Sequence, residues 1–117
     1  YGNTTHLSLQ AAEKLMTDGY DVEVLDLRSL IPLDKESILN SVRKTGKVLI
    51  VHEDKIFGGF GGELASIISE EAFEFLDAPI RRVGSEFTPV GFNRILEAAI
   101  LPDVNKIYEA ALSLLKY

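Results

Sequence analysis

Residues 47–71 read KVLIVHEDKIFGGFGGELASIISEE, and this stretch decides the fold. It opens with Val48–Val51, an unbroken apolar run typical of a strand that is buried on both faces. Four of the five residues from 58 to 62 are glycine, and a helical pattern begins at Glu63. Strand, glycine turn and helix form the repeating unit of parallel α/β sheets. The sequence therefore predicts such a sheet, with the turn at the carboxyl end of its central strand.

The remaining elements are predicted from helical periodicity, capping residues and prolines. In chain order they are a helix over 7–16 ended by Gly19, a strand over 22–27, a helix capped by Asp34 and closed by Gly46, a strand over 80–83, a short helix over 94–100 and a last helix capped by Asp103. Three strands are few for a sheet covered on both faces, and the first helix has no strand before it. We therefore expect residues 1–117 to be one domain cut from a longer chain, with an N-terminal strand missing.

Composition narrows the class of protein. The chain has 117 residues, of which 46% are hydrophobic and 26% charged, the balance of a single globular domain. A formal net charge of -6 argues against a nucleic-acid partner, and no apolar run has the length of a membrane span. The absence of cysteine excludes disulfides and thiolate metal sites and agrees with a cytoplasmic location.

The candidate site is the end of the central strand, where α/β proteins place functional residues. His52 and Glu53 stand there, directly before the glycines. One alternative makes Glu53 a general base or a ligand. The other has both side chains support the shape of the glycine loop, and we favour it because no further histidine or carboxylate lies at a metal-ligand spacing.

The loop itself also allows two interpretations. Its glycines are Gly58, Gly59, Gly61 and Gly62. A phosphate cradle is one interpretation, but neither the Walker pattern nor the dinucleotide-binding spacing is present. The other is close packing against a neighbouring element, which a glycine permits. The carboxylate of Glu63 at the helix start would repel an anion, so the sequence favours packing.

Several motifs together resemble the C-terminal domain of the beta subunit in the thiamine-dependent component of 2-oxo acid dehydrogenase complexes. They are Val51–Glu53 with the glycine loop, VEVLDLRSLIPLD over 22–34, DAPI over 77–80, Thr88-Pro89 and LPD over 101–103. The resemblance covers essentially the whole chain. It implies a three-layer α/β/α sandwich with a mostly parallel sheet, like the transketolase C-terminal domain. Complete members carry further strands just upstream, one antiparallel and one ending in Tyr-Gly.

The resemblance also implies a role in assembly. In such enzymes thiamine diphosphate and Mg²⁺ lie between other domains, so we expect no catalytic, cofactor-binding or metal residue here and no activity from this domain alone. The implied partners are an alpha subunit, a second beta subunit and the dihydrolipoyl acyltransferase. A homodimer of the fragment is one way to cover its incomplete sheet. The candidate partner surface is the end of the last helix, with Leu114, Leu115 and Tyr117.

The substrate class is indicated by the residues after Glu53. Many pyruvate-specific members show Gly-Trp-Pro there, whereas this chain has Asp54–Phe57, which is more similar to branched-chain enzymes. The resemblance thus implies a 2-oxoisovalerate dehydrogenase that oxidatively decarboxylates branched-chain 2-oxo acids and acylates lipoamide. Its location would be cytoplasmic, or the mitochondrial matrix in a eukaryote. The alternatives are a pyruvate, acetoin or deoxyxylulose phosphate enzyme, or a free-standing anion-binding α/β module.

Overall fold

The computed structural model describes residues 4–27, 34–55, 60–85 and 102–117. Helices and strands alternate through most of this part of the chain, which confirms the predicted α/β class. The elements are α1 (Thr4–Thr17), α2 (Lys35–Thr45), β1 (Leu49–Lys55), α3 (Phe60–Ala72), a 3₁₀ turn (Phe73–Phe75), β2 (Arg81–Ser85) and α4 (Val104–Leu115).

The sheet in the described part of the chain consists of β1 and β2, which pair in parallel. Leu49 lies opposite Arg81 and Val51 opposite Val83, and the register becomes irregular between Val51 and Lys55. Parallel neighbours need a crossover connection, and α3 provides it. The unbroken apolar run predicted to be the central strand is therefore paired along one edge by β2.

Helices lie on both faces of this sheet. Ile50 points to one face, where it packs with α2 and α3 in the main core cluster. Leu49 and Val51, which alternate with it, line a space on the other face together with α1 and α4. The buried side chains of the main cluster are Ile38, Leu39, Val42, Ile50, Leu64, Ile68 and Ala72. The second helix pair buries Ala11, Leu15, Ile107, Ala111 and Leu114.

The predicted helix ends are confirmed. The side chain of Asp34 accepts a hydrogen bond from the Ser37 backbone N–H at 3.2 Å, and that of Asp103 accepts one from Lys106 at 2.8 Å. Hydrogen bonds from Ser37, the strongest from its hydroxyl, lower the pKa of Asp34. Gly46 ends α2 in the left-handed conformation, with φ of 74°.

The predicted strand over 22–27 was wrong, because residues 21–27 have no regular secondary structure. Side chains hold this segment in place instead. The Thr5 hydroxyl donates to Asp26 at 3.0 Å, and Lys44 pairs with Glu23 at 2.9 Å. The hydrogen bond from Lys44 lowers the pKa of Glu23, and the same contact raises the pKa of Lys44. A strand is defined by ladder hydrogen bonds, and a gap separates this segment from β1.

One further expectation is corrected at the start of α3. The helix begins at Phe60, so Gly61 and Gly62 belong to its first turn and do not precede it. Phe73, which opens the 3₁₀ turn after α3, is 73% exposed. The predicted helix over 94–100 lies outside the described residues. Among the described helices, none has the length and apolar character of a membrane span.

Candidate functional site

The imidazole of His52 packs against the first turn of α3. His52 is fully buried at 0% exposure, and it lies in the middle of β1, which continues beyond it to Lys55. A Cβ atom added to Gly61 would lie 2.5 Å from His52 Cδ2 and closer still to Nε2. No side chain fits at position 61 while the ring occupies this place, so the helix start can approach β1 only with glycine there.

A second glycine brings β2 to the same helix start. A Cβ atom at Gly62 would lie 3.2 Å from the outer guanidinium nitrogen Nη1 of Arg82. That contact is with the end of a long, exposed side chain, which can move, whereas the buried His52 ring cannot. The first turn of α3 is therefore packed against both strands, and most tightly against β1.

Position 61 requires glycine because there is no space for a side chain, and not because of its backbone conformation. In the described residues, positive φ occurs only at Gly19 and Gly46. Gly61 has helical geometry, and its requirement comes from the space that His52 occupies. The interpretation of the loop as a packing device remains a prediction for Gly58 and Gly59, which lie outside the described residues.

The described residues do not fit the metal that a diphosphate cofactor needs. Mg²⁺ takes oxygen ligands in near-octahedral geometry. Among the side chains that the structure describes, no group of three or more His, Asp or Glu could hold a metal ion. Glu63, in the first turn of α3, is exposed and places a negative charge where the helix dipole would attract an anion. Hence we derive no chemistry for thiamine diphosphate from these residues.

The candidate partner surface is only partly exposed. Leu114 is 5% exposed in α4, which packs against α1, so its side chain is not open to a partner as that assignment expected. Leu115 is partly buried and lines the space beside β1. Tyr117 is 68% exposed, so it is the member of the predicted surface that is most open to a partner.

Tyr117 lines an open groove that the sequence interpretation missed. This groove has a volume of about 760 Å³, and we call it the aromatic groove. Phe73 lies in it, at the start of the 3₁₀ turn that follows Ala72, the last residue of the buried stripe of Leu64, Ile68 and Ala72. In the sequence, the four-residue spacing of Leu64, Ile68 and Ala72 could have indicated that Phe73 does not belong to the buried stripe. The other lining residues are Gly62, Ala65, Ser66, Ser69, Leu76, Asp77, Ala78, Pro79, Ile80 and Arg82.

Known proteins resemble this chain over nearly its whole length. The family model "Transketolase, C-terminal domain" matches residues 1–107. The pyruvate dehydrogenase E1 component subunit beta of Rickettsia felis is 44% identical over 104 residues, which are 89% of this chain and 32% of that protein. The 2-oxoisovalerate dehydrogenase subunit beta of Bacillus subtilis is 43% identical over 113 residues, 96% of this chain and 34% of that protein.

A third relative is the acetoin:2,6-dichlorophenolindophenol oxidoreductase subunit beta of Bacillus subtilis. It is 38% identical over 114 residues, 97% of this chain and 33% of that protein. The chain thus spans about a third of the length of the curated relatives it matches. The family match agrees with the α/β layers and with the parallel pairing of β1 and β2. The chain belongs to the transketolase C-terminal domain family and is homologous to the beta subunits of 2-oxo acid dehydrogenases.

Proposed function

We propose that this chain is the C-terminal domain of a 2-oxo acid dehydrogenase beta subunit and that it serves in assembly. The observation that carries the proposal is the match of 89–97% of the chain to one third of several beta subunits. In this proposal residues 1–117 are one domain of a longer polypeptide. The complete enzyme decarboxylates a 2-oxo acid on thiamine diphosphate and passes the acyl group to lipoamide, in the cytoplasm or the mitochondrial matrix.

For the substrate we propose a branched-chain 2-oxo acid. The support is the sequence Asp54–Phe57 after His52-Glu53, where pyruvate-specific members show Gly-Trp-Pro. Identities of 44% and 43% to pyruvate and 2-oxoisovalerate relatives do not separate the two substrates. A free-standing anion-binding module is not favoured, since the relatives are enzyme subunits.

The aromatic groove supports a role in subunit contact. Phe73 and Tyr117 are large apolar side chains that are 73% and 68% exposed, and both line it. Exposed aromatic side chains of this kind are enriched at protein interfaces, where they supply most of the binding energy. We assign the groove to the alpha subunit, the second beta subunit or the acyltransferase, the partners that the family resemblance implies.

The assembly role predicts that this chain retains an alpha subunit in a pull-down experiment. The bait is the chain itself, and the probes are a purified alpha subunit and the subunit-binding domain of the acyltransferase. Phe73→Ser and Tyr117→Ser are each expected to weaken retention about tenfold or more, the usual effect of removing an aromatic anchor. Met16→Ser is the matched control, because Met16 is 66% exposed but does not line the groove.

Failure of the parent chain to retain either probe would contradict the assembly role. Equal losses in the Met16→Ser control and in the groove variants would contradict the assignment of the groove, while leaving the role itself in place. Circular dichroism of each variant shows whether the helices are intact before the retention is compared.

The isolated chain is also expected not to bind thiamine diphosphate. The reason is that the described residues provide no oxygen cluster for Mg²⁺, and the formal net charge of -6 disfavours an anion without its metal. Isothermal titration with thiamine diphosphate and magnesium chloride should show only heats of dilution. A dissociation constant in the micromolar range would place a cofactor site in this domain and overturn the expectation.

A further inference from the structure

Three consecutive residues, Gly46 to Val48, hold parts of the chain that border the aromatic groove. The Asp77 N–H donates to the carbonyl oxygen of Gly46 at 2.7 Å. The Arg81 N–H donates to the carbonyl oxygen of Val48 at 3.2 Å. Asp77 lines the groove, and Arg81 lies between two further lining residues. Backbone hydrogen bonds therefore fix this side of the groove to the segment that leads into β1.

Lys47, between these two residues, contacts the end of α4. Its ammonium nitrogen Nζ donates to the carbonyl oxygen of Leu115 at 3.2 Å, and the residue is half-buried. Leu115 is the last residue of α4, and the last turn of this helix contains no basic residue of its own. Carbonyl oxygens at a helix C-terminus lack intrahelical partners and carry partial negative charge. A lysine from another element therefore supplies a donor and a positive charge to this helix end.

This contact acts next to Tyr117, which lines the groove two residues after Leu115. Lys116 and Tyr117 are both exposed, so packing of their own side chains holds them only weakly. The Tyr117 N–H donates to the carbonyl oxygen of Leu114 at 3.2 Å, a bond that exists only while the last turn is formed. A contact that fixes this turn therefore also fixes the position of Tyr117.

The opposite end of α4 is held by a separate set of contacts with α1. Lys14 donates to the side-chain oxygen of Asn105 at 3.2 Å, and its ammonium group lies 4.4 Å from the centre of the Tyr108 ring. The Tyr108 hydroxyl donates to Asp18. Together with the buried apolar side chains of α4, these contacts keep the helix in place without Lys47. Loss of the Lys47 contact is therefore expected to affect the last turn alone.

We propose that Lys47 is a positioning residue of the aromatic groove, which holds Tyr117 in the place relative to residues 77–82 that a bound subunit requires. The inference rests on the proposed function, since it takes the groove to be a subunit contact. Lys47 is not among the described residues that line the groove, so it acts through the backbone of Leu115. Segment 46–48 thereby joins two separate parts of the groove lining to each other.

The first test measures the mobility of the end of α4 by nuclear magnetic resonance relaxation. Lys47→Met removes the ammonium group and keeps an unbranched stem, whereas Lys47→Arg keeps a charged donor. In the parent and in Lys47→Arg, the backbone order parameters of Lys116 and Tyr117 should be near the rigid value of about 0.85. In Lys47→Met they should fall to about 0.6 or lower. Lys44→Met is the matched control and should resemble the parent, because Lys44 is exposed and pairs with Glu23.

The second test repeats the pull-down with the alpha subunit and the subunit-binding domain as probes. Lys47→Met should weaken retention about tenfold, the effect of losing one hydrogen bond to a charged group, and Lys47→Arg should restore it. In a Tyr117→Ser background, Lys47→Met should cause no further loss, because its effect passes through Tyr117. A merely structural role of Lys47 would instead cause the same loss in both backgrounds.

Four outcomes would overturn the proposal. They are unchanged order parameters in Lys47→Met, parent-like retention by that variant, an undiminished further loss in the Tyr117→Ser background, and loss of the helices in Lys47→Met by circular dichroism. The last one counts because the proposed effect is confined to one helical turn. The proposed function fails separately: a parent chain that retains neither probe contradicts it, while the order parameters still decide whether Lys47 positions Tyr117.

Discussion

Replacing Gly61 by alanine is expected to lower the free energy of unfolding by about 2–3 kcal/mol, the range of overpacking in a filled core. The added methyl group would lie 2.5 Å from Cδ2 of a fully buried His52 ring. Alanine is a better helix former than glycine by about 1 kcal/mol, so propensity alone predicts the opposite sign. Urea denaturation of parent and variant therefore decides between helix propensity and packing.

Gly62→Ala is the matched control for this prediction. It places the same substitution one residue later in the same helical turn, against the outer end of the exposed Arg82 side chain. We expect its stability to equal or slightly exceed that of the parent, because propensity favours alanine and the neighbour can move. A second control repeats Gly61→Ala in a His52→Ala background, where the cost should disappear because the ring is gone.

Equal unfolding free energies for the parent and Gly61→Ala would remove the packing explanation and reopen the case for a ligand at this turn. An unchanged cost of Gly61→Ala in the His52→Ala background would also remove the packing explanation, because the His52 ring would then not cause that cost.

The elements that could be predicted from sequence are those with local signals. Asp34 and Asp103 were identified as caps because a carboxylate before a helix satisfies the first free N–H groups. The unbroken apolar run before His52 predicted β1, since such a run is typical of a strand buried on both faces. Each of these signals lies within a few residues of the structure it produces.

The features that could not be predicted depend on distant neighbours. Residues 22–27 have the composition of a strand, but a strand needs a partner, and none of the described residues pairs with them. Likewise, the sequence favoured close packing for the glycines and a supporting role for His52, but it did not indicate that Gly61 lies inside a helix, against the ring of a residue nine positions earlier. The pairing of these elements is information that the local sequence does not carry.

Replacing Gly46 by alanine is expected to cost about 2–4 kcal/mol, because two separate penalties coincide there. Gly46 has φ of 74°, a conformation that costs an L-residue about 1–2 kcal/mol. Its added Cβ would also lie 3.0 Å from Asp77 Cγ and 3.2 Å from the Phe75 carbonyl oxygen. The Asp77 N–H donates to the Gly46 carbonyl oxygen at 2.7 Å, so the two chain segments cannot separate without losing this bond.

Gly19 provides the control that separates the two penalties. Its φ is 93°, yet an added Cβ would meet no atom within 4 Å. Gly19→Ala should therefore cost about 1–2 kcal/mol, the conformational part alone. Asparagine tolerates the left-handed conformation, so Gly19→Asn should recover most of that loss, while Gly46→Asn should not because the contacts with Asp77 and Phe75 remain. The measurement is urea denaturation of each variant. Equal losses of unfolding free energy in Gly19→Ala and Gly46→Ala would show that backbone conformation alone causes the loss at Gly46. The close approach of Gly46 to the 3₁₀ turn would then contribute nothing to that loss.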